Sequence, residues 1–374
     1  MKRPRASRGV FDPAVMHRYP RRCVARTLPD WVANHVGIEK VLGAAGLLWP
    51  DFFEVDEYVF WRRGLVEALN QGGRLCTYYG SDPATVERYH NMIHIGDFFM
   101  NVMDEASDRE ESLFAFGQVL REFWGRALRD RFPDRHYHFE TVDGLYDEDD
   151  PCVTFWRCEI DRSHRSCIGC ERNAGDYPKS TVEAGIGQTM VRKDCLSSHA
   201  LRGEAANTQR NVTAIRQISE SAGLLDRDLL LKFSTMPYAG TFSTWVGNCV
   251  RLWEVLGIAG FLSPDFFEVG EYLFWDLDVA ERIAQTDPRV LPFGDDPCAF
   301  ERHFNTINLA RFFLTSGGKA VEQDELIHAF GRVLRHFWGL ALRDRFPERR
   351  YEFEIAHGLR GEEGLCFTFW RVRD

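Results

Sequence analysis

Apolar and polar residues alternate at two different spacings along this chain of 374 residues. Apolar positions three or four residues apart run through 31–45 and 113–128, whereas short aromatic and β-branched runs occupy 52–55 and 58–61. The first spacing lines one face of a helix, and two short runs separated by two residues are typical of a β-hairpin. The pattern therefore predicts helices together with a small antiparallel sheet.

The rest of the first half adds further elements to this pattern. The turn at 82–83 predicts the start of a third helix, and a capping box at 107–110 predicts the start of a fourth. Apolar runs at 137–142 and 153–158 predict two further strands. The resulting order is α-ββ-α-α-α-ββ, with helices packed on one face of a small antiparallel sheet. The predicted fold class is α+β.

The chain contains a tandem duplication. When the sequence is shifted by 214 residues, 27–160 aligns with 241–374 without a gap, and 62 of 134 positions are identical. An alignment without insertions indicates that both copies keep one fold. We therefore divide the chain into a basic N-terminal arm (1–26), copy 1 (27–160), a linker (161–240) and copy 2 (241–374). The linker is rich in Ser, Gly, Arg and Thr, and we expect it to be partly disordered.

Charge is distributed unevenly over these four segments. The arm carries a net charge of +7 and the linker +2, while copies 1 and 2 carry −13 and −6, which together make the −10 of the whole chain. Nucleic-acid binding requires a cationic surface, so the charges argue against a nucleic-acid partner except through the arm. Two acidic bodies favour a basic protein partner instead.

Membrane and secretion signals are absent from the sequence pattern. No stretch of 18 apolar residues occurs, and the basic first residues are not followed by an apolar segment. The first observation argues against a transmembrane helix, and the second argues against a secretory signal. We therefore expect a cytoplasmic protein that has no membrane partner.

A first candidate for chemistry is a metal site in copy 1. Its ligands would be Glu87, His90, His94 and Asp97. Intervals of three or four residues place them on one face of the predicted third helix, and two histidines with a carboxylate form a familiar metal-ligand set. Copy 2 has Phe304 and Asn308 in place of the histidines, so only copy 1 would bind metal. The alternative is a polar surface opposite an apolar helix face.

A second candidate is a zinc site in the linker. Its ligands would be Cys167, Cys170, Cys195 and His199. A C-x2-C pair followed by C-x3-H resembles the spacing of structural zinc sites. The segment between the two halves is longer than in common zinc modules, so incidental thiols and a redox-active C-x2-C pair are alternatives. The sequence predicts no other cofactor, and zinc is the metal that suits these ligands.

Two further sets of residues recur in both copies. Cys152 and Cys366 precede the last strand of each copy, and we predict that they are buried structural cysteines rather than nucleophiles. Three pairs of glutamates are predicted to be solvated or paired with arginines rather than to act in acid–base chemistry. These pairs are Glu54/Glu268, Glu57/Glu271 and Glu140/Glu354. No phosphate-binding loop, dinucleotide motif, nucleophile elbow or zinc-protease motif is present.

The order of motifs in each copy resembles a group of small bacterial proteins of unknown function. In copy 1 the motifs are P-D-F-F-E-V at 50–55, N-x-x-H-x-x-D-F-F at 91–99, G-x-V-L-R-x-F-W at 117–124, F-P at 132–133 and T-F-W-R at 154–157. The resemblance covers both copies and none of the linker, and it implies a shared fold unit without implying a reaction. Copy 2 departs from it at Asn308 and Arg311, and no catalytic residue is carried over.

Three functional hypotheses follow from these observations. The first is a non-catalytic tandem-module binding protein that recognises a basic protein partner, for which acidic immunity or inhibitor proteins are an analogy. The second is a metal-dependent enzyme with its site on the third helix of copy 1. The third is a zinc-stapled structural protein built around the linker cysteines. The sequence favours the first, because two acidic bodies on a tether suit bivalent recognition of a cationic partner.

Overall fold

A computed structural model of the chain describes residues 5–7, 27–75, 80, 82–102, 110–145, 148–158, 160–161, 166–167, 215–218, 229–230, 241–286, 293, 296–313, 315–316 and 318–373. A first strand, β1 (Arg5–Ser7), belongs to the basic arm. Copy 1 then forms α1 (Leu28–His35), α2 (Ile38–Leu48), β2 (Phe52–Val55), β3 (Tyr58–Phe60), α3 (Arg63–Asn70), α4 (Pro83–His90), β4 (Ile93–His94), α5 (Ile95–Phe98), α6 (Glu110–Arg131), β5 (His136–Leu145) and β6 (Glu148–Cys158).

Copy 2 repeats this order after a segment of short strands. That segment contributes β7 (Ile160–Asp161), β8 (Ser166–Cys167) and β9 (Ile215–Ile218). Copy 2 forms α7 (Phe242–Cys249), α8 (Leu252–Leu262), β10 (Phe266–Val269), β11 (Tyr272–Phe274), α9 (Leu277–Gln285), α10 (Pro297–Phe304), β12 (Ile307–Asn308), α11 (Leu309–Phe312), α12 (Asp324–Arg345), β13 (Tyr351–His357) and β14 (Leu365–Arg371). Each of these helices begins 214 residues after its counterpart in copy 1.

The fold is α+β, as the pattern predicts. In the described residues each copy carries two small antiparallel sheets, with strand orders β9-β2-β3 and β4-β6-β5 in copy 1 and β1-β10-β11 and β12-β14-β13 in copy 2. β7 and β8 pair only with each other among the described strands. None of the helices in the described ranges is long and apolar enough to cross a lipid bilayer.

The prediction of a single first helix over 31–45 is wrong, because the chain breaks into two helices. α1 begins where the Thr27 side chain accepts a hydrogen bond from the Asp30 N–H, and it ends before Val36, which is extended. Gly37 is also extended, and α2 follows it. The break directs α1 toward copy 2 while α2 remains buried along most of its length.

The two copies share one hydrophobic core. A single cluster of buried side chains includes residues of α1, α2 and α6 from copy 1 and of α7, α8 and α12 from copy 2. Leu229 and Leu230, from the segment expected to be a linker, are buried in the same cluster. Two smaller clusters lie by the hairpins, one in each copy. The copies therefore pack as one body instead of two tethered bodies.

Helices cross between the copies in a reciprocal way. α1 packs on α8, and the equivalent α7 packs on α2. The ring of Trp31 lies against Gly257, where a Cβ would stand less than 3.0 Å from it. The equivalent ring of Trp245 lies against Gly43, where a Cβ would be equally crowded. This arrangement is that of a dimer with approximate twofold symmetry whose two protomers are joined in one chain. We call the contact between the copies the junction.

His336 of copy 2 lies in the junction in an unusual setting. Its ring packs edge-on against Trp49 of copy 1, with centroids 4.4 Å apart, and its Nε2 has no hydrogen-bond partner among the described residues. Burial lowers the pKa of His336 to about 4, and nearby Asp130 offsets this only in part. Arg131 and Arg343 lower the pKa further by charge repulsion. The imidazole is therefore neutral in the folded protein at neutral pH.

We expect acid to weaken the junction through this histidine. Below the ordinary pKa of 6.5 the unfolded chain binds a proton at His336 and the folded chain does not, so stability present above pH 6.5 is lost as the pH falls toward 4. The loss should be on the order of 2 kcal/mol at pH 4.5. A His336→Phe variant keeps the aromatic contact and should lack this loss. Parallel stability curves of the two proteins in urea between pH 7.5 and 4.5 would contradict the prediction.

Candidate functional site

The metal ligands predicted in copy 1 do not share a helix. α4 ends at His90, where Asn91 takes the capping position with φ −91° and ψ 1°. The chain then forms β4, which contains His94, and the short helix α5, which contains Asp97. The prediction of four ligands on one helix face is therefore wrong. The 3.6-residue spacing continues in the sequence past the point where the helix stops.

Asn91 is the residue at which the helix stops, and its side chain binds two strands. It is completely buried, and its Nδ2 donates to the carbonyl oxygens of Val59 at 2.8 Å and Phe155 at 3.2 Å. Its Oδ1 accepts a longer hydrogen bond from the Trp61 N–H at 3.4 Å. Asn91 therefore connects β3 to β6, since buried backbone groups require such partners.

Glu87 serves the same two strands. Its Oε1 accepts the N–H of Val59 at 2.7 Å, and its Oε2 accepts the N–H of Arg157 at 2.5 Å. Burial raises the pKa of Glu87 to about 7, and the two backbone hydrogen bonds oppose that rise only in part. Both carboxylate oxygens are thus bound to backbone groups rather than directed at a metal. We call Glu87 and Asn91 the polar bracket of copy 1.

Copy 2 contains the same bracket without the histidines. Glu301 accepts the N–H groups of β11 and β14 at 2.8 and 2.7 Å, and Asn305 donates to carbonyl oxygens of the same two strands. Copy 2 adds Arg373, whose guanidinium lies 3.1 Å from each oxygen of Glu301. Copy 1 has Glu159 at that position. Because the bracket recurs where no histidine pair exists, its role is structural.

Of the remaining predicted metal ligands, His90 packs its ring edge-on against Phe60. In the part of the chain that the structure describes, no three His, Cys, Asp or Glu side chains come together as metal ligands. Cys167 lies in β8, whereas the other linker ligands are outside the described residues, namely Cys170, Cys195 and His199. The zinc site in the linker stays a prediction.

One pairing could not be predicted from spacing. His94 and Cys152 are register partners on β4 and β6, and the Nδ1 and Sγ atoms are 3.6 Å apart. They are separated by 58 residues in the chain, so only the sheet brings them together. Cys366 faces Asn308 at the equivalent position of copy 2. Both cysteines are completely buried, which confirms the prediction that they are buried and withholds the thiols from solvent.

Most of the recurring glutamates are paired with arginines, as predicted. Arg135 pairs with Glu54, and Arg349 pairs with the equivalent Glu268. Farther along each copy, the ion pairs Arg88–Glu140 and Arg302–Glu354 both have N–O distances of 2.6 Å. Identical pairs at equivalent positions indicate that these carboxylates hold the fold together, and they argue against acid–base chemistry there.

A strand-accepting edge is the site that the two copies have in common. β2 pairs antiparallel with β3 on one side and with β9 on the other. Its counterpart β10 pairs antiparallel with β11 on one side and with β1 on the other. β1 and β9 both lie outside the duplicated sequence, so each copy completes a sheet with a borrowed strand. We call β2 and β10 the acceptor strands.

The borrowed strands are exchanged between the copies. β1 precedes copy 1 in the chain but pairs with copy 2, whereas β9 precedes copy 2 but pairs with copy 1. Part of the basic arm is therefore a strand of the fold. Such a reciprocal exchange, in which the strand before each copy pairs with the other copy, is similar to the arrangement in domain-swapped dimers.

The register is the same at both acceptor strands. Arg216 of β9 stands opposite Glu54. Arg5 of β1 stands opposite Glu268, which is equivalent to Glu54. The borrowed sequences otherwise differ, being Arg-Ala-Ser in β1 and Ile-Arg-Gln-Ile in β9. Antiparallel pairing uses main-chain groups and tolerates such differences, so the shared arginine is the feature that the two occupants have in common.

Comparisons of the chain with protein-family models, with curated proteins and with solved structures found no match. The resemblance to small bacterial proteins therefore stays a prediction.

Proposed function

We propose that the chain is a non-catalytic binding protein that recognises a basic protein partner. The observation that carries this proposal is the pair of acceptor strands, each of which holds an extended segment with an arginine opposite its glutamate. The net charges of −13 in copy 1 and −6 in copy 2 favour the same kind of partner, because they attract cationic segments. Acidic immunity or inhibitor proteins are the functional analogy.

The proposed mode of binding is β-strand addition. An extended segment of the partner takes the place of β1 or β9, and main-chain hydrogen bonds hold it on the acceptor strand. β1 has three residues in register and β9 has four, so few pairs hold each borrowed strand. A basic segment that pairs more favourably with the acceptor strand would displace the borrowed strand. Two equivalent edges on one body also allow bivalent binding.

A labelled peptide of residues 1–10, which contains β1, tests the proposal. The protein is the otherwise complete chain without residues 2–8, in which β10 has lost its borrowed strand. We expect this protein to bind the peptide and to bind an Arg5→Glu peptide at least about tenfold more weakly, since the latter places like charges opposite each other. The binding is measured by fluorescence anisotropy.

Two controls make this measurement specific. The intact chain already carries β1 on β10 and should bind the peptide more weakly than the shortened chain. A Glu268→Gln substitution in the shortened chain should reduce the preference for the arginine peptide. Equal binding of the two peptides by the shortened chain, or no binding of either, would contradict the proposed mode.

A further inference from the structure

Two pairs of equivalent residues face each other in the described part of the junction. Phe123 and Phe337 are 214 positions apart, and their ring centroids are 5.6 Å apart. Lys40 and Glu254 are also 214 positions apart, and the Lys40 Nζ lies 2.6 and 2.8 Å from the two oxygens of Glu254. Equivalent residues meet only where the twofold axis of a dimer passes. Both pairs therefore mark the axis that relates the copies.

These two pairs differ in whether they could form between two identical copies. Phenylalanine can face phenylalanine in a pair of identical copies. Lys40 cannot face a second lysine, and Glu254 cannot face a second glutamate, without bringing like charges together on the axis. The cost would be severe for Glu254, whose side chain is only 4% exposed. Its Oε2 already accepts the N–H of Arg251 at 2.9 Å, which holds the carboxylate in place.

Off the axis, the junction is asymmetric as well. Trp49 of copy 1 packs on His336 of copy 2, but the residue equivalent to Trp49 is Ser263. Ser263 instead accepts a hydrogen bond from Arg126 of copy 1, which also pairs with Asp344 at 2.8 Å. Copy 2 carries leucine at the position equivalent to Arg126. Two like copies could therefore not form the contacts that copy 1 and copy 2 form with each other.

We infer that Lys40 and Glu254 make the junction surface of each copy fit the other copy and reject a second copy of itself. The inference is independent of the partner proposed above. Two self-complementary copies in one chain would pair with like copies of neighbouring chains and build open-ended assemblies. Opposite charges on the axis instead favour pairing of copy 1 with copy 2 of the same chain. The specificity comes from excluding the pairing of like copies. The occupant that this surface accepts is the other copy.

Charge reversals in the full chain test this inference. Lys40→Glu leaves two acidic residues on the axis, and Glu254→Lys leaves two basic ones. Each change alone should lower the melting temperature by about 5 °C or more. The double variant Lys40→Glu/Glu254→Lys restores opposite charges and should recover most of that loss. A double variant that melts no higher than the single variants would overturn the inference.

Mixing the two single variants provides a test that does not require either to fold alone. After joint unfolding and refolding, copy 1 of one variant can pair with copy 2 of the other, and both axial pairs are then complementary. We expect light scattering to show a species of twice the mass of the chain that neither variant forms by itself. A mixture that contains only the species seen with each variant alone would overturn the inference.

Discussion

A Gly257→Ala substitution is expected to lower the free energy of unfolding by about 2–3 kcal/mol, because the added methyl group has no room in the junction. A Cβ at this position would be less than 3.0 Å from the ring of Trp31. That ring is 5% exposed and also stacks on His35, so it cannot move aside without opening the shared core. Gly43→Ala should have a similar effect through Trp245. Equilibrium unfolding in urea at pH 7.5 measures both losses.

Gly339→Ala is the matched control for this prediction. Gly339 lies within α12, where a Cβ would be at least 3.6 Å from the nearest atoms, which belong to Phe353. Alanine is the better helix former, so we expect no loss and a gain of up to about 1 kcal/mol. If the substitutions at Gly43 and Gly257 cost no more unfolding free energy than this control, the tryptophan rings do not lie against these glycines.

A Glu301→Gln substitution is expected to cost about 3–5 kcal/mol, the largest loss among the changes considered. The carboxylate accepts two backbone N–H groups and faces the guanidinium of Arg373, and it is completely buried. Glutamine has one acceptor oxygen, so its amide nitrogen would face a donor. The charge of Arg373, whose side chain is only 16% exposed, would also lose its closest carboxylate.

Glu87→Gln is the matched change in copy 1, and its cost should be clearly smaller. Glu87 has the same two backbone donors, but copy 1 has Glu159 at the position of Arg373. Burial already raises the pKa of Glu87 to about 7, so at pH 8 the neutral amide relieves an unfavourable buried charge while it loses one hydrogen bond. We expect about 1–2 kcal/mol or less. Equal losses for the two variants would show that Arg373 is not the source of the difference.

The elements that the sequence predicts well are those with local signals. The hairpin of 52–55 and 58–61 is present, and its turn places Asp56 at φ 53° where copy 2 has Gly270 at φ 64°. The third helix begins at Pro83 because the Asp82 side chain caps it, as the turn residues predict. The long fourth helix and the last two strands are also present. In each case the signal lies within a few residues of the element.

The borrowed strands had no comparable signal. β1 and β9 contain three and four residues with mixed polar and apolar character, and neither shows the alternation of a half-buried strand. Each pairs with an acceptor strand more than 150 residues away in the chain. The junction could not be predicted for a similar reason, because an apolar helix face does not show which other helix packs on it. The pairing of helices between the copies is known from the structure, in which Trp31 and Trp245 lie reciprocally against glycines.

The duplication separates the structural residues of copy 1 from the predicted metal ligands. Glu87 and Asn91 recur in copy 2 as Glu301 and Asn305, whereas the two histidines do not recur. The recurring residues form the bracket that both copies need to satisfy buried backbone groups. Recurrence in two copies of one fold thus identifies the structural residues. Helical spacing alone does not identify them, because it does not show whether a polar face is buried or exposed.

Native mass spectrometry of the untagged chain, purified gently from its own host, tests the proposed function most directly. We expect a complex with a basic protein that dissociates when the peptide of residues 1–10 is added and persists when the Arg5→Glu peptide is added instead. A chain that carries a stoichiometric metal ion and no protein partner would contradict it. A chain that is recovered alone under conditions that preserve weak complexes would contradict it as well.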